Sequence, residues 1–259
     1  MRENLVAHTG HECNGIIIGM VLGDSFLSRP YGNTRIQTSH KESSRDYLEW
    51  KRQLLQNYLD GDIRQVSFKS FGKDQSRLDW FSHRAKFLNY HHQDFYIQKK
   101  KIVKKSVLNR LTPLGLAIWY MDDGSLRSTS DTYPRIELAT MGFDKQSLQV
   151  IVDWFAEQLG FDMRIWANGS INPEAESAWR LLALVKPYVD LVESMKYKAD
   201  ISRIDTSRSD SYQELPDKLK ARLQGLDVST PIKGRVWQVF SKSAMWPESD
   251  PVNDIVRTS

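Results

Sequence analysis

Two apolar segments, each ending in an acid, constrain this chain more than anything else in it. Residues 12–24 read ECNGIIIGMVLGD and residues 111–124 read LTPLGLAIWYMDDG. Both are too long and too continuous for a half-exposed strand, so both predict buried helices. In the second, Thr112 suits the N-cap, Pro113 the first helical position and Gly124 the helix end. After each helix the hydrophobic period changes to two, over 34–40, 63–71 and 77–84, and again over 135–140 and 162–168. Amphipathic helices are predicted between these strands at 42–59 and 145–159, and further helical sequence closes the halves at 85–98 and 173–198. The same order occurs twice, which predicts an α+β fold of two pseudo-symmetric αββαββα-type halves. The expected division is residues 1–110, 111–199, and a C-terminal extension at 200–259. The extension opens on the polar stretch ISRIDTSRSDSYQ, continues with a short helix near 215–226 and a strand-like run at 234–240, and has no counterpart in the first half.

The acids at the helix ends carry the chemistry. A helix C-terminus is already partly negative, so an acid there is unfavourable by a few tenths to ~1 kcal/mol, and more when buried. Here the arrangement occurs at Asp24 and again at Asp123, which follows a second acid, Asp122. Such acids call for a cation, and hard oxygen ligands select Mg²⁺ or a similar divalent ion. Gly19 and Gly23 lie four apart on one face of the first helix, where another backbone can approach closely. If the partner is the second helix, through Ala117 and its neighbours, the two C-termini meet at a pseudo-twofold axis. Two carboxylates holding metal at one phosphodiester meet the general requirement for metal-assisted phosphoryl hydrolysis.

The distribution of charge points the same way. The chain carries 36 Lys+Arg against 32 Asp+Glu, and residues 200–259 balance, so the whole excess lies in residues 1–199. Between Arg84 and Arg110 eight basic residues face the single acid Asp94, a density that suits a polyanion. The longest apolar runs, 15–23 and 114–121, are far shorter than the ~20 residues that span a bilayer, and the start lacks a secretory h-region. A soluble intracellular protein without a membrane partner is expected. The single cysteine, Cys13, excludes an internal disulfide framework.

GIIIGMVLGD and LAIWYMDDG resemble the paired signature helices of the LAGLIDADG homing endonucleases, specifically the single-chain, two-motif type. The nine-letter motif covers Ile17–Ser25 and Leu116–Gly124, with Leu22 in place of the earlier acid and Ser25 in place of the final glycine in the first copy. The resemblance extends over about residues 12–199. It implies metal binding by Asp24 and Asp123 with Mg²⁺ or Mn²⁺ as cofactor, and a basic residue from each half near the active site, by position Lys100 and Lys198. It implies two halves joined through the signature helices, each laying a curved antiparallel sheet in the major groove of double-stranded DNA. It also implies a monomer and a long, non-palindromic target site.

The strand patterns supply a polar face for such a surface. Arg35, Gln37 and Ser39 share one face; Gln65, Ser67 and Lys69 alternate with Val66 and Phe68; Arg135 and Glu137 alternate with Ile136 and Leu138; Arg164, Trp166 and Asn168 oppose Met163, Ile165 and Ala167. Arg, Gln and Asn pair with base edges, whereas Arg77, Lys99, Lys101, Lys104, Lys105 and Arg127 are placed to reach phosphates. Two alternatives keep the fold: an intron RNA maturase, whose partner is its own intron RNA, and a DNA-binding protein that does not cut. A third reading takes Tyr120–Asp123 as the YxDD signature of reverse transcriptases, but it leaves Asp24 and its helix unexplained.

Overall fold

The computed structural model describes residue 7 and residues 9–30, 32–127 and 134–200. The first half runs α1 (Gly10–Leu22), β1 (Phe26–Ser28), β2 (Arg35–Lys41), α2 (Arg45–Leu54), β3 (Gly61–Ser70), β4 (Lys73–Ser82) and α3 (Leu88–Phe95). A small hairpin, β5 (Tyr96–Ile97) and β6 (Lys100–Lys101), and the short helix α4 (Lys105–Leu108) lead into the second half. That half runs α5 (Pro113–Asp123), β7 (Gly124–Arg127), β8 (Arg135–Leu138), α6 (Lys145–Trp154), β9 (Met163–Ile165), β10 (Ile171–Pro173) and α7 (Ala175–Val189), and ends in a 3₁₀ segment, Glu193–Lys198. The order αββαββα is therefore present twice. The two antiparallel sheets also share one topology, β1-β2-β4-β3 and β7-β8-β10-β9.

Local chemistry sets the helix starts. Thr9 and Glu12 form a reciprocal capping box at α1, two residues earlier than the apolar run alone suggests, and Thr112 accepts the Gly115 N–H at the start of α5. Every residue of α1 from Cys13 on is buried except Asn14, and α5 is buried from Leu114 to Met121. Helices with so little wet surface must lie inside the molecule. Among the described residues four tryptophans, Trp80, Trp119, Trp154 and Trp179, are fully buried in the hydrophobic core. No helix among the described residues is long and apolar enough to cross a membrane.

Several expected boundaries shift. α2 and α3 are shorter than the periodic pattern, and the segment 173–198 divides after Val189 into α7 and the 3₁₀ segment. The strand expected over 162–168 stops at Ile165, because the turn Trp166–Ser170 begins there. Asn168 belongs to that turn: its side-chain oxygen accepts from the Ser170 N–H at 3.0 Å. Phe68, expected to point inward, is 37% exposed. The C-terminal helix and strand expected beyond residue 200 lie outside the described residues.

Candidate active site

The site begins with the crossing of α1 and α5. A Cβ added at Gly19 would stand 2.0 Å from the Gly115 carbonyl oxygen, and one at Gly115 would stand 2.2 Å from that of Gly15. Gly15 meets the Thr112 side chain and Gly23 meets Asp122 in the same way. The helices are therefore in contact along α1, backbone against backbone at Gly15, Gly19 and Gly115, and the helix C-termini come side by side. Ala117, expected as the partner of the glycines, is buried, but the close approach is made by Thr112, Gly115 and Asp122. Gly115 is the only residue of α5 without a side chain, so the crossing falls there.

Asp24 follows the end of α1, and Asp123 is the last residue of α5. Burial, reinforced by the charges of Asp24 and Asp122, pushes the Asp123 carboxyl up to about 7 against the pull of Lys101. Asp24 is raised by burial and then by Asp122, opposed by Lys51, Lys198 and Lys101, although 45% of its side chain stays exposed. The ends of the two helices are in contact, the Asp24 N–H donating to Asp122 Oδ2 at 3.2 Å. A bound cation would relieve that repulsion.

Asp122 has a different part. Its side chain has no exposure, and it accepts from Lys51 Nζ at 2.5 Å, from the Tyr47 hydroxyl at 2.9 Å and from the Asp24 N–H at 3.2 Å. Lys51, equally buried, also donates to His40 Nε2 at 3.0 Å. A lysine ammonium only donates, so Nε2 accepts and the neutral ring carries its hydrogen on Nδ1, which lies 3.9 Å from Asp24 Oδ2. Burial and then Lys51 lower the His40 pKa to about 3. One ligand atom each from Asp24, His40 and Asp122 lie within 4.8 Å of one another. The Lys51 ammonium already serves two of these groups as their cation, which leaves Asp24 as the exposed hard-oxygen donor of the three, with the half-buried Asp123 at the end of the neighbouring helix.

His40, Tyr47 and Lys51 are absent from the sequence-based expectations. Lys51 leaves a readable trace: it falls on the apolar face of α2 with Leu48 and Leu55, where a charge demands a buried partner. His40 leaves no such trace, since it alternates with Ile36 and Thr38 as any inward residue of β2 would.

The expected lysines divide. Lys198 is 8% exposed, and its ammonium donates to the carbonyls of Met121 and Asp122, the latter at 3.1 Å. The β5–β6 hairpin turns through Gln98 and Lys99, both with positive φ, and its two-residue loop decides which lysine points inward. That residue is Lys101, not Lys100. Lys101 Nζ lies 3.4 Å from the Gly23 carbonyl and 5.3 Å from the Phe143 ring centre, with the three acids around it, whereas Lys100 is exposed and acts on Asp144. Burial lowers the pKa of both Lys101 and Lys198, and the acids oppose it.

Among the strand residues, Gln65, Ser67 and Lys69 are exposed, Gln37 and Ser39 are half-buried, and Arg35 lies over the Phe81 ring at 4.8 Å. Arg135, Lys99 and Lys105 are exposed, and Trp166 is 47% exposed. Several of the expected contacts are paired within the protein. Glu137, expected to face outward, is 7% exposed and paired with Arg127; Arg164 pairs with Glu174, Lys105 with Glu157, and Arg77 with Asp79 at 2.8 Å. Lys104 donates to the Gln93 carbonyl at 3.3 Å. Glu137 is buried all the same, because β8 is covered along Ile136–Leu138.

Two like halves joined by glycine-packed helices, with an acid from each at the joint, define a pseudo-symmetric α+β protein with one shared acidic centre. The LAGLIDADG DNA endonuclease family matches residues 14–180, and the chain belongs to it. Protein RecA of Mycobacterium gastri is 32% identical over 201 residues, covering 71% of this chain and 46% of that protein. The chain thus spans a little under half the length of these curated relatives. Cytochrome b mRNA maturase bI2 of Debaryomyces hansenii is 26% identical over 194 residues, 71% of either chain. Among solved structures, the homing endonuclease I-WcaI bound to its DNA recognition sequence matches with a TM-score of 0.64 and 22% identity, over 74% of this chain and 87% of that one. This likeness is one of fold.

Proposed function

We propose that the chain is a site-specific double-strand DNA endonuclease that hydrolyses phosphodiester bonds using divalent metal ions, magnesium or manganese, held by Asp24 and Asp123. The observation that carries this is the meeting of two partly buried carboxylates at paired helix C-termini, where the helix dipoles and mutual repulsion oppose their charge. Such ions, when bound, activate water and stabilise the leaving oxygen. Asp24 and Asp123 supply hard oxygens, one from each half. Lys101 and Lys198, again one from each half, bring positive charge beside the acids and stabilise charge developing on phosphate. The single chain contains both halves and acts as an intracellular monomer. Because the halves differ in sequence, its site is long and non-palindromic.

The similarity to the maturase bI2 supports a second reading on the same fold, binding of intron RNA. The test is incubation with a library of duplexes containing candidate intron-insertion sequences and Mg²⁺, comparing the parent protein with Asp24→Asn and Asp123→Asn. Each substitution is expected to reduce cleavage by roughly 10³-fold, the equivalent of several kcal/mol of lost transition-state stabilisation. Undiminished cleavage by both variants rejects the active-site assignment. Binding of intron RNA without cleavage of any duplex favours the maturase.

A further inference from the structure

Asp24 stands just past the end of α1, and its main-chain N–H does not return to that helix. The N–H groups on either side, those of Gly23 and Ser25, donate to the Gly19 and Met20 carbonyls at 3.1 and 2.9 Å. That of Asp24 crosses to the second half and donates to Asp122 Oδ2 at 3.2 Å. The crossing is close because Gly23 has no side chain: a Cβ there would stand 2.5 Å from both Cβ and Oδ2 of Asp122. Asp123 is placed differently. It lies within α5 and its carbonyl accepts the Ala139 N–H at 2.9 Å, so its own half holds it.

Asp122 is the penultimate residue of α5, where the helix dipole and burial both oppose its charge. Lys51 supplies the opposite charge 2.5 Å from Oδ1, and its ammonium is fixed in turn by His40 Nε2 at 3.0 Å and by the Tyr47 ring at 4.3 Å. The Tyr47 hydroxyl lies 2.9 Å from the same Oδ1. Both oxygens of the carboxylate are therefore engaged, one by the first half's core and one by the Asp24 main chain. The equivalent place in the second half has no such pair. Gly23 takes the position of Asp122 in the first signature motif, and α6 buries Ser147, Leu148, Ile151 and Trp154, none of them charged.

We propose that Asp122 is a positioning residue for Asp24: it fixes the main chain that carries the first half's acid, with Lys51 as the counterion that keeps it ionised in the core. One acid is thus seated by both halves and the other by its own half alone. This rests on the endonuclease reading, in which Asp24 serves phosphodiester scission. A reacting group displaced by about 1 Å loses on the order of 100-fold in rate, so the loss on removing Asp122 falls on the scission that depends on Asp24.

The test compares two double variants of the full chain, Lys51→Met/Asp122→Ala and Lys51→Met/Asp122→Asn. Both remove the two charges together, so neither strands one in the core, but only the asparagine keeps an oxygen for the Asp24 N–H. On a duplex that the parent protein cuts with Mg²⁺, each strand is labelled separately and single-turnover rates are measured. Scission should fall roughly 100-fold in the alanine double variant, on the same strand or strands that Asp24→Asn slows, and no more than about fivefold in the asparagine one. Mn²⁺ binding to the free protein, followed by electron paramagnetic resonance, should weaken roughly tenfold in the alanine double variant only. Thermal melts of the two double variants should lie close together, which separates a displaced acid from a lost fold. Loss on a strand that Asp24→Asn leaves intact, equal losses in the two double variants, or parental rates and Mn²⁺ affinity in the alanine one overturns the proposal. A parent protein that neither cuts a duplex nor binds Mn²⁺ removes the endonuclease reading itself, and the positioning role with it.

Discussion

Lys51 and Asp122 hold opposite charges with no solvent on either side chain, 2.5 Å apart. Their attraction offsets a desolvation cost of several kcal/mol, so removing one partner strands the other. Lys51→Met alone is expected to destabilise the fold by about 3–5 kcal/mol in urea unfolding, and Lys51→Met with Asp122→Ala should recover more than half of that loss. Simple additivity in this cycle would mean that the two residues are not coupled. Half of the pair is legible in the sequence, because a lysine on the Leu48/Leu55 stripe announces a buried partner. The partner is not legible: Asp122 lies 71 residues away, and only the crossing of α1 and α5 brings it over α2.

At the scale of elements, the α1–α5 joint depends on the absence of side chains. Gly19→Ala would put a methyl 2.0 Å from the Gly115 carbonyl oxygen, and neither backbone can retreat while the rest of the helix pair stays packed. The expected cost is about 3 kcal/mol or more, from overpacking at a backbone contact, and should appear as a large drop in denaturation midpoint. A loss under 1 kcal/mol would show that the helices can separate there. The long helices were readable from their capping residues and unbroken apolar runs. β1, β7 and β10, each three or four residues, were not, because they lie outside any stretch of alternating apolar and polar residues long enough to show a period. The inward-pointing lysine was misplaced by one residue for a related reason: the β5–β6 turn decides which lysine faces the acids, and neighbouring lysines look alike in sequence.

At the scale of the whole molecule, the stability profile with pH reports how the acidic centre is built. Asp123 is raised from 3.8 to about 7, so the folded state binds more protons than the unfolded state between those values. Its contribution is therefore present at low pH and lost as pH rises from about 4 to about 7. His40 and His91, lowered to about 3 and about 4, act in the opposite sense: they favour the fold above about 6.5 and lose that contribution as pH falls. Without metal, Asp123→Asn should raise stability at pH 8 by on the order of 1–3 kcal/mol, after allowance for partial solvent screening, and change it little at pH 4. Thermal unfolding of both proteins across this range checks it. Mg²⁺ should stabilise the parent protein at pH 8 and have less effect on Asp123→Asn; equal effects would speak against Asp123 as a ligand.

What the sequence determined by itself was repetition: two buried helices ending in acids 99 residues apart, each followed by strands and an amphipathic helix. Those are local properties, carried by hydrophobic period, caps and charge, and they were enough for the fold class and the family resemblance. The tertiary structure decided what converges on the acids. Lys101 rather than Lys100 and the buried His40–Lys51–Asp122 chain depend on contacts or register between distant segments. A turn and a helix crossing set them, and neither is encoded in the residues concerned taken alone.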